Sequence, residues 1–104
     1  MVEDLLQRDH HLLDRHGAIH KASRGGFQRI VQLLLDDGVD VNEKDDDQIT
    51  ALCEASRRGH KDIIVLLLEH GADINLAGPG KQTALSAAAE NGFDNVMKLL
   101  LQQK

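Results

Sequence analysis

The chain has 104 residues and a net charge of −5, with 41% hydrophobic, 28% charged and 2% aromatic residues. This size and composition predict one globular domain. An acidic chain without Trp or Tyr lacks the basic surface and the stacking rings that nucleic-acid binding uses. Its longest apolar run, residues 63–68, is far shorter than the roughly 20 residues that span a bilayer. We therefore expect neither a nucleic acid nor a membrane as partner.

Residues 1–16 lack the basic start and the apolar stretch of a signal peptide. A helical stripe interrupted by Asp9 predicts two short helices, with Asp9 as N-cap of the second. The stripe consists of Val2, Leu5, Leu6, Leu12 and Leu13. We predict that these helices form a cap over the apolar face of the segment that follows. The single cysteine, Cys53, cannot form an internal disulfide, which fits a reducing compartment, cytoplasmic or nuclear.

From residue 17 onward the sequence repeats with a period of 33 residues. A glycine and a leucine triplet recur in every unit, at Gly26, Gly59 and Gly92 and at residues 33–35, 66–68 and 99–101. Each unit holds two short apolar stretches, and the second has helical i, i+3, i+4 spacing, as in Ile63, Leu66 and Leu67. The glycines follow the first stretch, where a left-handed residue ends a helix. Thr50 and Thr83 precede it, where a hydroxyl caps a helix N-terminus.

The repeated unit resembles the ankyrin repeat, which has this period and the signature Thr-Pro-Leu-His-x-Ala. The signature here is Thr-Ala-Leu-Cys-Glu-Ala over residues 50–55 and Thr-Ala-Leu-Ser-Ala-Ala over residues 83–88. The resemblance implies an all-α solenoid of stacked helix-turn-helix units joined by hairpin-like loops. It implies one domain of three repeats, residues 17–49, 50–82 and 83–104. Alanine replaces the family's proline, and Gln48 and Lys81 replace a glycine two residues before each threonine.

Several segments look like chemical sites but lack essential residues. Residues 78–83 contain the Gly-Lys of a phosphate-binding loop without its first glycine and final hydroxyl. Residues 40–51 begin like a calcium loop but lack its glycine and its last glutamate. No further ligand completes a zinc site around the histidine cluster, His10, His11, His16 and His20. The resemblance gives His20 a structural role between repeats, and Cys53 takes the same place in the next repeat. We predict no catalysis, no metal and no cofactor.

Residues 36–47 carry seven acidic side chains and one basic one, Lys44. This run is either a solvated loop or an acidic tip that attracts a basic partner. In ankyrin proteins the loop tips and inner helices form a concave surface that contacts partners, so the resemblance implies two groups of partner-binding residues. The loop group is Asp46, Asp47, Ile49, Pro79, Gly80 and Gln82. The inner-helix group is Lys21, Arg24, Glu54, Arg57, Arg58, Ala87, Glu90 and Asn91. Ile49 serves either contact or local packing.

Two functional hypotheses follow. The first is a protein-protein interaction module within a scaffold or regulatory protein. The second is a self-associating unit, because a terminal repeat needs a polar outer face. The last unit must divide its apolar residues between the core and an uncovered end; these are Ala88, Val96, Met97, Leu100 and Leu101. We therefore expect either further repeats in the natural protein or a two-fold homodimer through this end.

Overall fold

The computed structural model describes residues 15–102 of the chain, and this part is helical. Its α-helices, in chain order, are α1 (Arg15–Gly25), α2 (Gln28–Asp36), α3 (Ala51–Arg58), α4 (Lys61–Glu69), α5 (Ala84–Glu90) and α6 (Asp94–Leu101). They form three consecutive pairs, each joined by a turn of two or three residues. The predicted all-α fold of helix-turn-helix units is confirmed.

The inner helices α1, α3 and α5 pack on one another in sequence order, and the outer helix of each pair lies against its own inner helix. Helix α3 is the middle of this stack, and residues 51–56 are all buried. Such consecutive burial is unusual for a helix, which normally exposes one face. It arises because α3 is covered by α1 on one side, by α5 on the other and by α4 behind.

Helices α3 and α5 begin where the sequence predicts. The hydroxyl of Thr50 accepts a hydrogen bond from the backbone N–H of Cys53 at 3.2 Å. Thr83 does the same for Ser86 at 3.3 Å, and the Ser86 hydroxyl accepts from the Thr83 N–H at 2.9 Å. Both pairs satisfy N–H groups that the first helical turn leaves without a partner. The first helical position is alanine in both cases, so the missing proline leaves the helix start intact.

The glycines between paired helices have the predicted left-handed backbone, with φ of 80° at Gly26, 75° at Gly59 and 72° at Gly92. The packing around Gly59 also requires a residue without a side chain. A Cβ atom there would lie 2.9 Å from the Phe93 ring of the next unit. Gly38 and Gly71 follow the outer helices with φ of 91° and 88°.

The connectors between units tie each repeat to the next. The His20 ring, which is buried in α1, lies with Nε2 2.8 Å from the Glu43 carbonyl oxygen. Because a carbonyl only accepts, Nε2 carries the proton. Farther out, the Asn42 amide donates to the Gly71 carbonyl at 3.3 Å and accepts from the Asp73 N–H at 2.6 Å. His20 therefore joins α1 to the connector of its own unit, residues 17–49, and its expected role between repeats stays a prediction.

The predicted N-terminal cap, residues 1–16, falls almost entirely outside the described residues and stays a prediction. Helix α1 begins at Arg15, two residues before the predicted start of the first unit. At the other end, the apolar residues of the last unit divide as expected between core and surface. Ala88, Val96 and Leu100 are buried, Met97 is half-buried, and Leu101 is 49% exposed.

We predict that Gly59→Ala lowers the free energy of unfolding more than Gly71→Ala does. Both substitutions place alanine in a left-handed conformation, which costs about 1–2 kcal/mol. At Gly71 no atom of the described residues lies within 4 Å of the new Cβ, whereas at Gly59 the Phe93 ring must move. Overpacking of this kind adds roughly 1 kcal/mol or more. Urea denaturation of both variants measures the difference, and equal losses would show that the ring yields freely.

Candidate partner-binding surface

The ends of the inner helices bring three predicted site residues together. The Glu54 carboxylate lies 3.3 Å from the Arg24 guanidinium of the preceding repeat and 3.8 Å from the Arg57 guanidinium one turn along α3. The Glu54 side chain is 5% exposed, while those of Arg24 and Arg57 are 43% and 40% exposed. A carboxylate at the edge of the core therefore holds two half-exposed guanidinium groups from adjacent repeats side by side.

Two predicted contact residues are wrong as direct contacts. Ala87 has no exposed surface, because it faces the interior of the inner-helix stack. Glu54 is 4% exposed, so it cannot be reached by a partner except through the two arginines that it holds. Lys21, Glu54 and Ala87 occupy equivalent positions one period apart, yet only Lys21 is exposed. The position within the repeat therefore predicted the helix on which each residue lies, but it did not predict whether the side chain is exposed.

The first loop tip is held by one carboxylate that the sequence analysis did not single out. Asp45 Oδ1 accepts from the backbone N–H groups of Asp47 at 2.9 Å and Ile49 at 3.0 Å. The Asp45 N–H donates to the Ile49 carbonyl at 3.0 Å, and the Gln48 N–H donates to the Asp45 carbonyl at 2.8 Å. The backbones of Lys44 and Thr50 form an isolated antiparallel β-bridge. The tip is therefore a closed hairpin that exposes Asp46 and Asp47. An acidic residue five positions before the capping threonine was the available signal for Asp45.

Ile49 is half-buried and packs against the core, which favours local packing over contact. Its neighbour Gln48 presents its carbonyl to Gly78 of the second tip, 3.2 Å from where a Cβ would stand. The two tips are thus adjacent, and glycine at position 78 allows their backbones to approach.

The second loop tip has the same backbone pattern without the carboxylate. Gly78 N–H donates to the Gln82 carbonyl at 2.7 Å, and Lys81 N–H donates to the Gly78 carbonyl at 3.0 Å. A 3₁₀ turn, Pro79–Lys81, forms the exposed end. Because Gly78 stands where the first tip has Asp45, no side-chain carboxylate braces this turn.

The second tip is joined to the inner helices by a side-chain contact. The Gln82 amide donates to a Glu90 carboxylate oxygen at 2.9 Å, which links two predicted site residues. Asn91, also exposed, donates from its side chain to the Ala87 carbonyl at 2.9 Å. Lys21, Arg58, Pro79 and Gly80 are exposed as well. We call the accessible predicted residues of the tips and inner helices the candidate surface: Lys21, Arg24, Asp46, Asp47, Arg57, Arg58, Pro79, Gly80, Gln82, Glu90 and Asn91.

The segments that imitate chemical sites have structural roles. The Thr83 hydroxyl, at the end of the phosphate-loop look-alike, caps α5. In the calcium-loop look-alike, Asp40 accepts from the Asn42 N–H at 2.9 Å and closes a local turn. Among residues 15–102, no three His, Cys, Asp or Glu side chains form a cluster that could hold a metal ion. In the same part of the chain, no helix is long and apolar enough to cross a membrane.

Cys53 is a buried thiol in the middle of the stack. Burial raises its pKa, and this effect outweighs the hydrogen bonds with Thr50, which lower it. The sulfur lies 3.9 Å from the carbonyl oxygens of Leu76 and Gln82. A protonated thiol without access to solvent is a poor nucleophile. This environment agrees with the predicted structural role of Cys53.

A comparison with protein-family models matches residues 1–78 to the family described as ankyrin repeats (3 copies). The match covers three quarters of the chain and includes residues 1–16, where the sequence analysis found no repeat signature. The third repeat lies beyond it and rests on the 33-residue period and on helices α5 and α6. No curated protein matches the chain.

We predict that Gln48→Gly and Lys81→Gly each raise the free energy of unfolding. Both residues have left-handed backbones, with φ of 65° and 62°, at the places where the family has glycine. Glycine removes a strain of roughly 1–2 kcal/mol and adds unfolded-state entropy, for a net gain of about 0.5–1 kcal/mol. The control is Gln82→Gly, where φ is −75° and glycine should only weaken the fold. Equal changes in the free energy of unfolding at all three positions would contradict backbone strain at Gln48 and Lys81.

We also predict that Cys53 makes stability depend on pH above neutrality. Because burial raises its pKa in the folded state, the unfolded chain releases the thiol proton first, near pH 8.5. The stabilisation is complete below that pH and is lost as pH rises toward the folded-state pKa. Between pH 7.5 and 9.5, the parent should therefore lose more stability than Cys53→Ala. Chemical denaturation at each pH measures the free energies of unfolding. If those of the parent and Cys53→Ala change in parallel with pH, the linkage to Cys53 is ruled out.

Proposed function

Because the chain belongs to the ankyrin-repeat family, whose members are generally protein-protein interaction modules, we propose that it binds a partner protein through the candidate surface. It acts as a recognition element of a scaffold or regulatory protein, and it carries out no catalysis. We place it inside the cell, in the cytoplasm or nucleus, which the lone free thiol of Cys53 supports.

The observation that carries this proposal is the pair of guanidinium groups held by Glu54. A buried carboxylate fixes Arg24 and Arg57 in position, so less side-chain entropy is lost when a ligand binds them. Each guanidinium has five N–H donors in a planar fork, and Glu54 engages a single nitrogen of each. Because these side chains are 43% and 40% exposed, the remaining donors can bind a second carboxylate in a bidentate manner.

The charges around this pair indicate the kind of partner. Lys21 lies one helical turn before Arg24, and Arg58 follows Arg57. With Glu54 included, this cluster has a net charge of +3 on a chain whose net charge is −5. At the equivalent position of the third repeat, Glu90 replaces Arg57, and the first tip exposes Asp46 and Asp47. We propose a partner segment that presents carboxylates to the arginines and basic side chains to the tip and third repeat.

The test compares proteins retained from cell extract by the parent and by two variants. In the first variant Arg24, Glu54 and Arg57 are all replaced by Gln. Changing all three leaves no buried carboxylate unpaired, whereas replacing the two arginines alone would leave Glu54 buried without either of its partners and destabilise the fold. The control is Lys61→Gln with Lys98→Gln, two exposed residues on α4 and α6 that change the net charge more.

We predict that the triple variant melts as a folded protein and that its affinity for the retained partner falls at least about tenfold. Loss of desolvated charge pairs at an interface costs roughly 2 kcal/mol or more. The outer-helix control should bind as the parent does. If the triple variant retains the partner unchanged while the control loses it, the interface lies on the outer helices and the proposal fails.

A further inference from the structure

The first junction, where the first repeat meets the second, holds two guanidinium groups with unused hydrogen-bond donors. Arg24 and Arg57 contact different oxygens of the Glu54 carboxylate, at 3.3 and 3.8 Å. Only the Arg24 contact is a hydrogen bond. The Arg57 ion pair is longer than a hydrogen bond, and its guanidinium makes none with any other residue of the described range, 15–102. Most N–H donors of both groups are therefore available to a ligand.

Two further cations lie beside this pair. Lys21 is one helical turn before Arg24 on α1, and Arg58 follows Arg57 on α3. Neither the Lys21 nor the Arg58 side chain makes an ion pair or a hydrogen bond within residues 15–102. In that part of the chain, Glu54 is the one carboxylate that pairs with any of the four cations. Four positive charges and one negative charge leave the group with a net charge of +3.

The second junction, where the second repeat meets the third, lacks this arrangement at its equivalent positions. Arg57 stands there in the place that Arg24 has in the first junction. Ala87 takes the place of the buried carboxylate, and Glu90 takes the place of the second guanidinium. The repeat pattern alone therefore does not require a pair of guanidinium groups, and within residues 15–102 the pair belongs to the first junction.

A small anion can contact both guanidinium groups at once. The Glu54 carboxylate already does so from the core, with one oxygen toward each group. The two arginine side chains are 43% and 40% exposed, so a second anion can reach them from the solvent. A carboxylate has two oxygens, and a bidentate contact with one guanidinium uses both. A phosphate monoester has three acceptor oxygens and a charge of about −1.5 to −2 at pH 7, so it can accept from both groups together.

We infer that phosphorylation of the partner regulates binding at the candidate surface. The phosphate of a phosphorylated side chain contacts Arg24 and Arg57 together and binds there more tightly than a carboxylate does. This inference rests on the proposed function, because it assigns the acidic group of the partner segment. The third repeat and the first loop tip expose Glu90, Asp46 and Asp47, which repel a uniformly acidic ligand. The partner is therefore a phosphorylated segment of otherwise mixed charge.

Degenerate peptide libraries test this inference without a known partner sequence. Four libraries of short peptides fix phosphoserine, serine, one glutamate or two adjacent glutamates at the centre, and all other positions are randomised. The pair of glutamates matches the charge of the phosphate without placing three oxygens on one atom. Retention of each library on the immobilised parent chain is measured, and fluorescence anisotropy then gives the affinities of the retained peptides.

The matched variants keep the positive charge and remove the planar donor fork. Arg24→Lys combined with Arg57→Lys leaves Glu54 with two cationic partners, but an ammonium group cannot donate in the bidentate manner of arginine. The control is Arg29→Lys, which makes the same exchange at an exposed residue of the outer helix α2. Arg57→Lys alone serves if the double variant unfolds, because Arg57 makes no hydrogen bond to Glu54.

The parent and Arg29→Lys should bind phosphoserine peptides at least about tenfold more tightly than peptides of either glutamate library. The double lysine variant should melt as a folded protein and lose this preference. Equal affinity of the parent for phosphoserine and paired-glutamate peptides would overturn the inference, because charge alone would then explain binding. A preference that survives in the double lysine variant, or a phosphoserine library retained no better than the serine library, would overturn it too. The proposed function is tested separately, by the triple variant and the retained partner.

Discussion

The structure depends on the burial of α3 between two other inner helices. A unit of two short helices joined by a glycine turn has too little apolar surface to form a core of its own. Residues 51–56 are buried because α1, α4 and α5 surround them on three sides. The first and third units have a neighbour on one side only within residues 15–102. Stability is therefore concentrated in the middle of the array, and the turns and caps serve to keep three small units in register with it.

The two internal junctions share a geometry and differ in chemistry. At the second junction Phe93 covers Gly59 through apolar contact. At the first junction His60 covers Gly26 and also donates from Nε2 to the Arg24 carbonyl at 3.0 Å. Arg24 is thus held twice by the second repeat, through its backbone by His60 and through its guanidinium by Glu54. Arg24, which we place at the centre of recognition, is thus anchored through both its backbone and its side chain.

The 33-residue period was sufficient to predict the fold, because helix starts, turn glycines and core leucines are local signals that recur at fixed positions. It did not predict contacts between side chains of different repeats. Lys21, Glu54 and Ala87 look equivalent in the sequence, yet their surroundings depend on what the adjacent repeat places beside them. Glu54 is buried because α3 lies between α1 and α5, and it meets Arg24, which reaches across from the first unit. The hydrogen bonds that hold the loop tips were not predicted either. Asp45 and Gly78 occupy equivalent positions, but only Asp45 has a carboxylate that accepts from the backbone of its tip.

The ion pair between Arg24 and Glu54 also makes the candidate surface sensitive to the curvature of the array. Its two members belong to different repeats, so any bending or twisting of the first junction changes the separation of the Arg24 and Arg57 guanidinium groups. A ligand that bridges both groups would favour one curvature and stiffen that junction. By thermodynamic reciprocity, a force or a neighbouring domain that flattens the array would weaken ligand binding by the same coupling free energy. The Arg24–Glu54 ion pair therefore couples ligand binding at the candidate surface to the stiffness of the first junction.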